Sequence, residues 1–455
     1  MRIAMLTFLG AVLLSYLTLS AADQRPNIVM IMCDDMGYEG VSAYGSPTYK
    51  TPQLDRLASG GMLFQHCYST PICTPSRVQL MTGKYNFRNY TRFGKLANGQ
   101  VTFGNILKQA GYKTAIAGKW QLGGGGDAVR AFGFDKYCLW NIEGRESRYW
   151  EPRILQNDTL REDVADRFGP DVACDFLVDF IRESHKDPFF VYYPMMLPHW
   201  PFVPTPDSKP GGSRQRLGMY DGQKGGVEYF PDMVAYVDKL VGRLDRTLEE
   251  VGVRENTLLL FTCDNGCATN IRSVMGSRQI KGGKASLPDN GTHVALVASW
   301  PGVIKPKQVS QALVDFTDFV PTLAAVGKTT VPAGFVTDGH SFVDVLRGES
   351  QGEREWVFCH YSRNGTPARP ADKEKVAQAL EKQAKAKQAK TMGRFARTER
   401  YKLYEDGRFY NIKNDVQEVR PIAPGKGSTA AEAARRQLQS IHDQMPPWQP
   451  FLPSE

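Results

Sequence analysis

Asn27-Ile28-Val29-Met30-Ile31-Met32-Cys33-Asp34-Asp35 decides the fold: an apolar run of strand length hands over at once to two carboxylates. The same hand-over recurs along the chain. Lys113–Ala117 leads into Gly118-Lys119-Trp120, and Phe189–Tyr193 into the proline-framed His199. Thr257–Thr262 leads into Cys263-Asp264-Asn265-Gly266, and Val294–Trp300 into Pro301-Gly302. Helical patterns lie between these runs. The clearest is 229–250, where Met233, Tyr236, Val237, Leu240, Val241, Leu244 and Leu248 recur at the three-to-four spacing of one buried face. Buried strands alternating with helices predict an α/β fold built on a largely parallel sheet covered on both sides. Sites in such sheets lie beyond the carboxyl ends of the strands, where this chain keeps acids, a lysine, a histidine and an amide.

At 455 residues the chain exceeds one ordinary core, since a domain takes roughly 150 residues. Hydrophobic residues at 42% and aromatics at 11% exclude a mainly disordered chain. Near-average glycine (43) and proline (28) exclude a collagen-like or linker protein. Residues 1–22 read as a signal peptide: Arg2, a mostly apolar stretch from Ile3 to Leu19, then Ser20-Ala21-Ala22 before Asp23. No later segment approaches ~18 consecutive apolar residues, so an exported protein without stable membrane insertion is expected. Its place would be periplasmic or secreted, or lysosomal or extracellular in a eukaryote. The eight cysteines lie far apart in a chain too large to need stapling, which excludes a disulfide scaffold, and the absence of C-x-x-C pairs argues against zinc.

Beyond about residue 345 the character changes. Asp372–Lys390 is rich in Ala, Lys, Gln and Glu, and Thr398–Ile412, with Asp406-Gly407 between tyrosine-rich runs, reads as a β-hairpin. A smaller α+β subdomain with an antiparallel sheet is therefore expected over 346–455, carrying a basic helical insertion at 371–402. The formal net charge of +8 concentrates there, because that insertion holds ten basic and four acidic residues. A solvated face and a basic arm for a polyanion are both open. A nucleic-acid partner is excluded by export and by the lack of any binding motif.

Four clusters carry chemistry. In Cys73-Thr74-Pro75-Ser76-Arg77, Pro75 suits the first turn of a helix, so Cys73 stands at its positive end with Arg77 one turn along. Asp34-Asp35 and Asp264-Asn265 set four hard oxygen donors at two strand ends, which suits Ca²⁺ or Mg²⁺. Lys119 and Gln121, two apart, face one pocket if the backbone stays extended. Lys284, in Lys281-Gly282-Gly283-Lys284, sits where glycines let the backbone approach an anion, and prolines fix His199 in Leu197-Pro198-His199-Trp200-Pro201. Together these describe a pocket for a divalent oxyanion.

Cys73-Thr74-Pro75-Ser76-Arg77 resembles the C-x-P-S-R signature of the formylglycine-dependent (type I) sulfatases, a branch of the alkaline-phosphatase-like superfamily. Asn27 to Tyr38, Tyr44-Gly45-Ser46-Pro47, Thr51 to Leu57, Gly118-Lys119-Trp120, Cys263-Asp264-Asn265-Gly266 and Trp300-Pro301-Gly302 are similar to the family in order, and Tyr401-Lys402-Leu403-Tyr404 and Phe409-Tyr410 resemble its C-terminal part. The resemblance implies a catalytic domain over 23–345. It implies that a formylglycine-generating maturation enzyme oxidises Cys73 to an aldehyde. Its hydrate attacks sulfur, expels the alcohol, and re-forms the aldehyde as sulfate leaves. It further implies one Ca²⁺ held by Asp34, Asp35, Asp264, Asn265 and residue 73. Arg77 would orient the hydrate, Lys119 and Lys284 would neutralise sulfate, and His199 would protonate the leaving alcohol.

Two departures stand out. Gln121 occupies the place of the family's usual histidine and cannot act as a base, although it can hydrogen-bond the hydrate. Asp289-Asn290-Gly291-Thr292-His293 replaces the usual Glu-Gly-Gly-x-Arg loop. The implied substrate is a sulfated saccharide, with Arg145, Arg148 and Trp150 as further contacts, since arginines pair with sulfate and aromatic faces stack on sugars. The alternatives are a phosphoester or phosphonate hydrolase of the same superfamily, and a sulfated-glycan-binding protein without turnover.

Overall fold

The computed structural model describes residues 25–140, 142, 147–208, 226–366 and 392–452. The signal-peptide reading of 1–22, Arg145, and the helix expected at 372–390 lie outside them. The main-sheet strands are β1 (Asn27–Cys33), β2 (Met62–Tyr68), β3 (Lys113–Lys119), β4 (Lys136–Trp140), β5 (Ile154–Gln156), β6 (Thr159–Leu160), β7 (Phe189–Pro194) and β8 (Thr257–Cys263). After a separate hairpin, β9 (Arg272–Met275) and β10 (Arg278–Lys281), come β11 (His293–Ser299) and β12 (Gln308–Asp315). The ten-stranded order is β12-β2-β11-β8-β1-β7-β3-β4-β5-β6.

β8, β1, β7, β3 and β4 run parallel as one block. β1, β7 and β8 are buried at every position, as strands covered on both faces must be, and this is why they read as unbroken apolar runs. The helix Phe230–Glu250 buries all seven residues expected on its face and packs on the helix Gly169–Ser184. The parallel block brings Asp34, Asp264, His199 and Lys119 to one edge of the sheet. β11 differs from the sequence reading. It runs antiparallel to β8 and β2, so its beginning, His293, lies at that edge and Pro301-Gly302 lies at the far one.

A second sheet holds β13 (Val357–Ser362), β14 (Met392–Arg397), β15 (Tyr401–Tyr404) and β16 (Phe409–Asn411), antiparallel in that order. The helix Thr429–Gln444 packs on β14 and β15. The turn between β15 and β16 is the expected Asp-Gly hairpin, with Gly407 at a φ of +85°. The end of the supposed basic helical insertion is corrected here: 392–397 and 401–402 are strand. Arg394, Arg397 and Lys402, counted as part of a basic arm, are buried. Arg397 donates to both Asp289 oxygens at 2.9 and 2.7 Å. Lys402 donates to Asp289 at 3.2 Å, Glu418 at 2.8 Å and the Leu287 carbonyl at 2.9 Å. Arg397 and Lys402 thus neutralise carboxylates inside the protein and are not part of a solvent-facing basic arm.

Lys402→Met should therefore leave Asp289 and Glu418 short of charge in a dry site and cost about 3–5 kcal/mol. Lys413→Met, which breaks only an exposed pair with Glu399, should cost less than about 1 kcal/mol. Urea unfolding midpoints of the two variants check the contrast.

Candidate active site

Cys73 opens the helix Cys73–Thr82, whose ten residues are all buried. Ser76 anchors its start, its hydroxyl donating to the carbonyls of Thr70 and Ile72 at 2.7 and 3.0 Å. The His199 loop is stitched to the end of β1, because Asp34 donates its N–H to the Leu197 carbonyl and Met195 donates to that of Met32, each at 2.8 Å. The Lys284 loop crosses the helix start through Ala285 N–H to the Pro71 carbonyl, 2.7 Å. Its glycines serve this packing and not an anion. A Cβ on Gly282 would lie 1.9 Å from the Ala268 carbonyl oxygen, and one on Gly283 would lie 2.4 Å from the Asn290 backbone.

The charged groups converge on Asp34. Lys119 donates to both its oxygens at 2.9 and 2.8 Å, and Arg148 to one at 3.1 Å. Arg77 grips Asp264 through Nε and Nη2 at 3.1 and 2.9 Å and comes within 3.5 Å of Asp34. Lys284 pairs with Asp35 and donates to His199 Nε2 at 2.9 Å. His199 Nδ1–H donates to the Trp200 carbonyl, which leaves Nε2 as the acceptor. Burial, then Arg148 and Lys284, hold this imidazole well below its usual pKa. Burial raises Asp34, but Lys119 and the neighbouring cations more than reverse that and bring it well below the carboxylate range. Burial and Asp34 push Asp264 the other way, up to about 7.

The oxygen donors fit a hard cation. One ligand atom each of Asp34, Cys73 and Asp264 lie within 4.8 Å of one another, as do those of Asp34, Asp35 and His199. Asn265 Nδ2 donates to Asp35 at 2.9 Å, while its fully buried Oδ1 has no hydrogen-bond partner among the described residues. A cation there would satisfy that oxygen and relieve the repulsion that raises Asp264.

Gln121 lies on the nucleophile: the Cys73 thiol donates to its Oε1 at 3.3 Å. Its φ is +54°, so an extended backbone is not what makes Lys119 and Gln121 converge; a left-handed turn does. Arg148 is not free for substrate, being stacked on Trp140 at 4.0 Å and bonded to Asp34. Trp150 is 8% exposed, tilted against Phe168, with its indole N–H donating to the Pro204 carbonyl at 2.9 Å. It is a core residue and offers no sugar platform. Tyr149, whose hydroxyl donates to the Met196 and His199 carbonyls, buttresses the histidine loop, a role its place in the sequence does not announce.

The sulfatase family profile matches residues 26–328. The chain belongs to the sulfatase family. N-acetylgalactosamine-6-sulfatase of Rattus norvegicus is 30% identical over 377 residues, covering 73% of this chain and 67% of that protein. Arylsulfatase A of Homo sapiens is 30% identical over 380 residues, covering 75% and 72%. Like these relatives, this sulfatase is a sulfuric ester hydrolase. A protein solved in complex with its substrate D-glucosamine-2-N,6-O-disulfate aligns with a TM-score of 0.72 at 21% identity, over 92% of this chain and 98% of that one. The mostly parallel sheet with its separate small antiparallel sheet is thus the alkaline-phosphatase-like sulfatase fold.

Because Trp150 is structural, Trp150→Phe in this sulfatase should lose one buried hydrogen bond and about 1–3 kcal/mol of stability. KM for a sulfated oligosaccharide should stay within about twofold, as steady-state kinetics beside a urea titration would establish.

Proposed function

We propose that this sulfatase hydrolyses sulfate esters of an exported-compartment sulfated carbohydrate, with Cys73 acting after oxidation to formylglycine. The observation that carries the reading is that Cys73 Sγ lies within 4.8 Å of carboxylate oxygens of Asp34 and Asp264 and donates to Gln121 Oε1. As a plain thiol Cys73 suits the task poorly: burial raises its pKa, so it stays protonated and weakly nucleophilic. An aldehyde hydrate at this position supplies a hydroxyl nucleophile and a second hydroxyl through which sulfate can later be expelled. Asp34, Asp35, Asp264 and Asn265 would hold Ca²⁺, which when bound supplies Lewis-acid charge beside residue 73. The carbohydrate assignment is supported by the N-acetylgalactosamine-6-sulfatase relatives and by the glucosamine disulfate bound in the similar structure.

The chain's own groups divide the remaining work. Arg77 locks Asp264 and Asp34 in place, so its role is to orient the groups around residue 73. Lys119 and Lys284 bring positive charge to the sulfate oxygens as the S–O bond to the alcohol breaks. The leaving oxygen takes a proton that comes from the Lys284 ammonium, whose N–H already points at His199 Nε2, with the imidazole passing it on and Lys284 left neutral. Gln121 Oε1 accepts a hydrogen bond from the group on residue 73 and holds it in line, but it removes no proton. The final deprotonation then passes to water. Export through residues 1–22 and conversion by a maturation enzyme complete the reading.

Two measurements test it. Protein from its native host should yield the tryptic peptide ending at Arg77 with the aldehyde mass at residue 73, and recovery of the thiol form alone would sink the mechanism. Gln121→His should raise kcat on an aryl sulfate about tenfold or more and add a pH-dependent limb near an imidazole pKa of ~6.5, since positioned bases contribute about 10²–10⁴-fold. An unchanged rate would remove Gln121 from the catalytic step.

A further inference from the structure

The hairpin β9–β10, the loop 281–290 and the segment 416–419 enclose a cavity of about 440 Å³. Arg272, Arg278 and Lys281 stand on its wall, and all three are exposed. Arg272 is braced by donating to the Thr269 and Ile271 carbonyls, each at 2.9 Å. Among the described residues neither Arg278 nor Lys281 has an ion-pair partner, so both present unspent charge. Two walls are joined by Gln417 Nε2 donating to the Gln279 carbonyl at 3.3 Å. Asn290 donates to the Lys281 carbonyl at 2.8 Å, which leaves Oδ1 as a buried acceptor without a partner among the described residues. Val419, 65% exposed, supplies an apolar surface beside these polar groups.

We propose that this cavity is a second binding site, which takes a sulfated or carboxylated sugar unit of the same polymeric substrate. Cations, a free amide acceptor and an apolar wall match the anionic group, the hydroxyls and the ring face of such a unit. The site is coupled to the first through one short stretch of backbone. Lys281 lines the cavity, and Lys284, three residues on, pairs with Asp35; three residues span at most about 11 Å. A span of that size is within the length of a short oligosaccharide. The cavity then sets preference for polymer over a single sulfated sugar, and it does so independently of the basic insertion expected at 371–402. The inference rests on the carbohydrate reading above.

Arg278→Ala/Lys281→Ala separates the two. On polymeric chondroitin 6-sulfate, kcat/KM should fall about fivefold or more in 50 mM salt. On 4-methylumbelliferyl sulfate it should stay within about twofold, and the polymer defect should shrink in high salt as screening removes the wild-type advantage. Arg278→Lys/Lys281→Arg should retain polymer activity. Equal rates on polymer, or equal losses on both substrates, would overturn the second site. Binding of a chondroitin 6-sulfate hexasaccharide to Cys73→Ala protein, with and without the double substitution, judges the cavity independently of turnover. If the wild type hydrolyses neither ester, the carbohydrate sulfatase reading fails, while weaker hexasaccharide binding by the double variant still upholds the cavity and undiminished binding refutes it.

Discussion

A carboxylate with no exposed surface constrains everything around it, and here that carboxylate is Asp34. Left alone at the end of β1 it would cost far more than the sheet could offset. Its neutralisation draws on three separate parts of the chain. Lys119 arrives from the end of β3, Arg148 from the segment after β4, and Arg77 from the first turns of the Cys73 helix. Only a parallel block can bring the first of these beside β1 with the same end forward. β2 runs the same way as that block, so the helix that follows it begins at the same edge and carries Arg77 in its first turns. The topology and the charge cluster thus presuppose one another.

The cluster is also out of balance in a useful way. Asp34, Asp35 and Asp264 face Arg77, Lys119, Arg148 and Lys284, so cations already outnumber carboxylates among these seven. Even so Asp264 is pushed up, and among the described residues Asn265 Oδ1 stands without a donor. Those features mark where positive charge is still missing, between the carboxylates. Lys284, against His199, carries positive charge on the other flank of Asp35. A cation bound in the first place leaves the second free for an anionic ester group, which is the separation of roles that sulfuryl transfer requires.

Much of this was legible because parallel strands buried on both faces must be apolar throughout, and the polar residues that end them are then conspicuous. Asp34, Lys119, His199 and Asp264 stand out by that contrast, and the parallel strands bring them to one edge; their roles came from the family resemblance. Strand direction is not written in the same pattern, and this is how β11 came to be read the wrong way round. Trp150 and Arg148 misled for a related reason. Aromatic and guanidinium groups look alike in sequence whether they meet a sugar or stack inside a core, and both are spent internally here. Arg397 and Lys402 were hidden in a run of basic residues whose carboxylate partners lie over a hundred residues away at Asp289, or beyond the hairpin at Glu418.

Those two residues also resolve the departure at 289–293. The family's loop carries an arginine where this chain has His293, and that histidine cannot supply its charge: burial holds it down to about 3, with its ring stacked on Tyr38 at 4.1 Å. Positive charge beside this loop comes from β14 and β15. Arg397 lies over the Tyr68 ring at 3.9 Å and holds Asp289 from outside the loop, with Lys402 of β15 beside it. The short helix Asp289–Thr292 is thereby pinned to the small sheet, and the backbone of Asn290 is the surface against which Gly283 closes. Since Gly283 precedes Lys284, the position of a site lysine is set by an ion cluster on the opposite side of its loop. The small C-terminal sheet is, on this argument, part of the machinery that places Lys284 against Asp35 and His199.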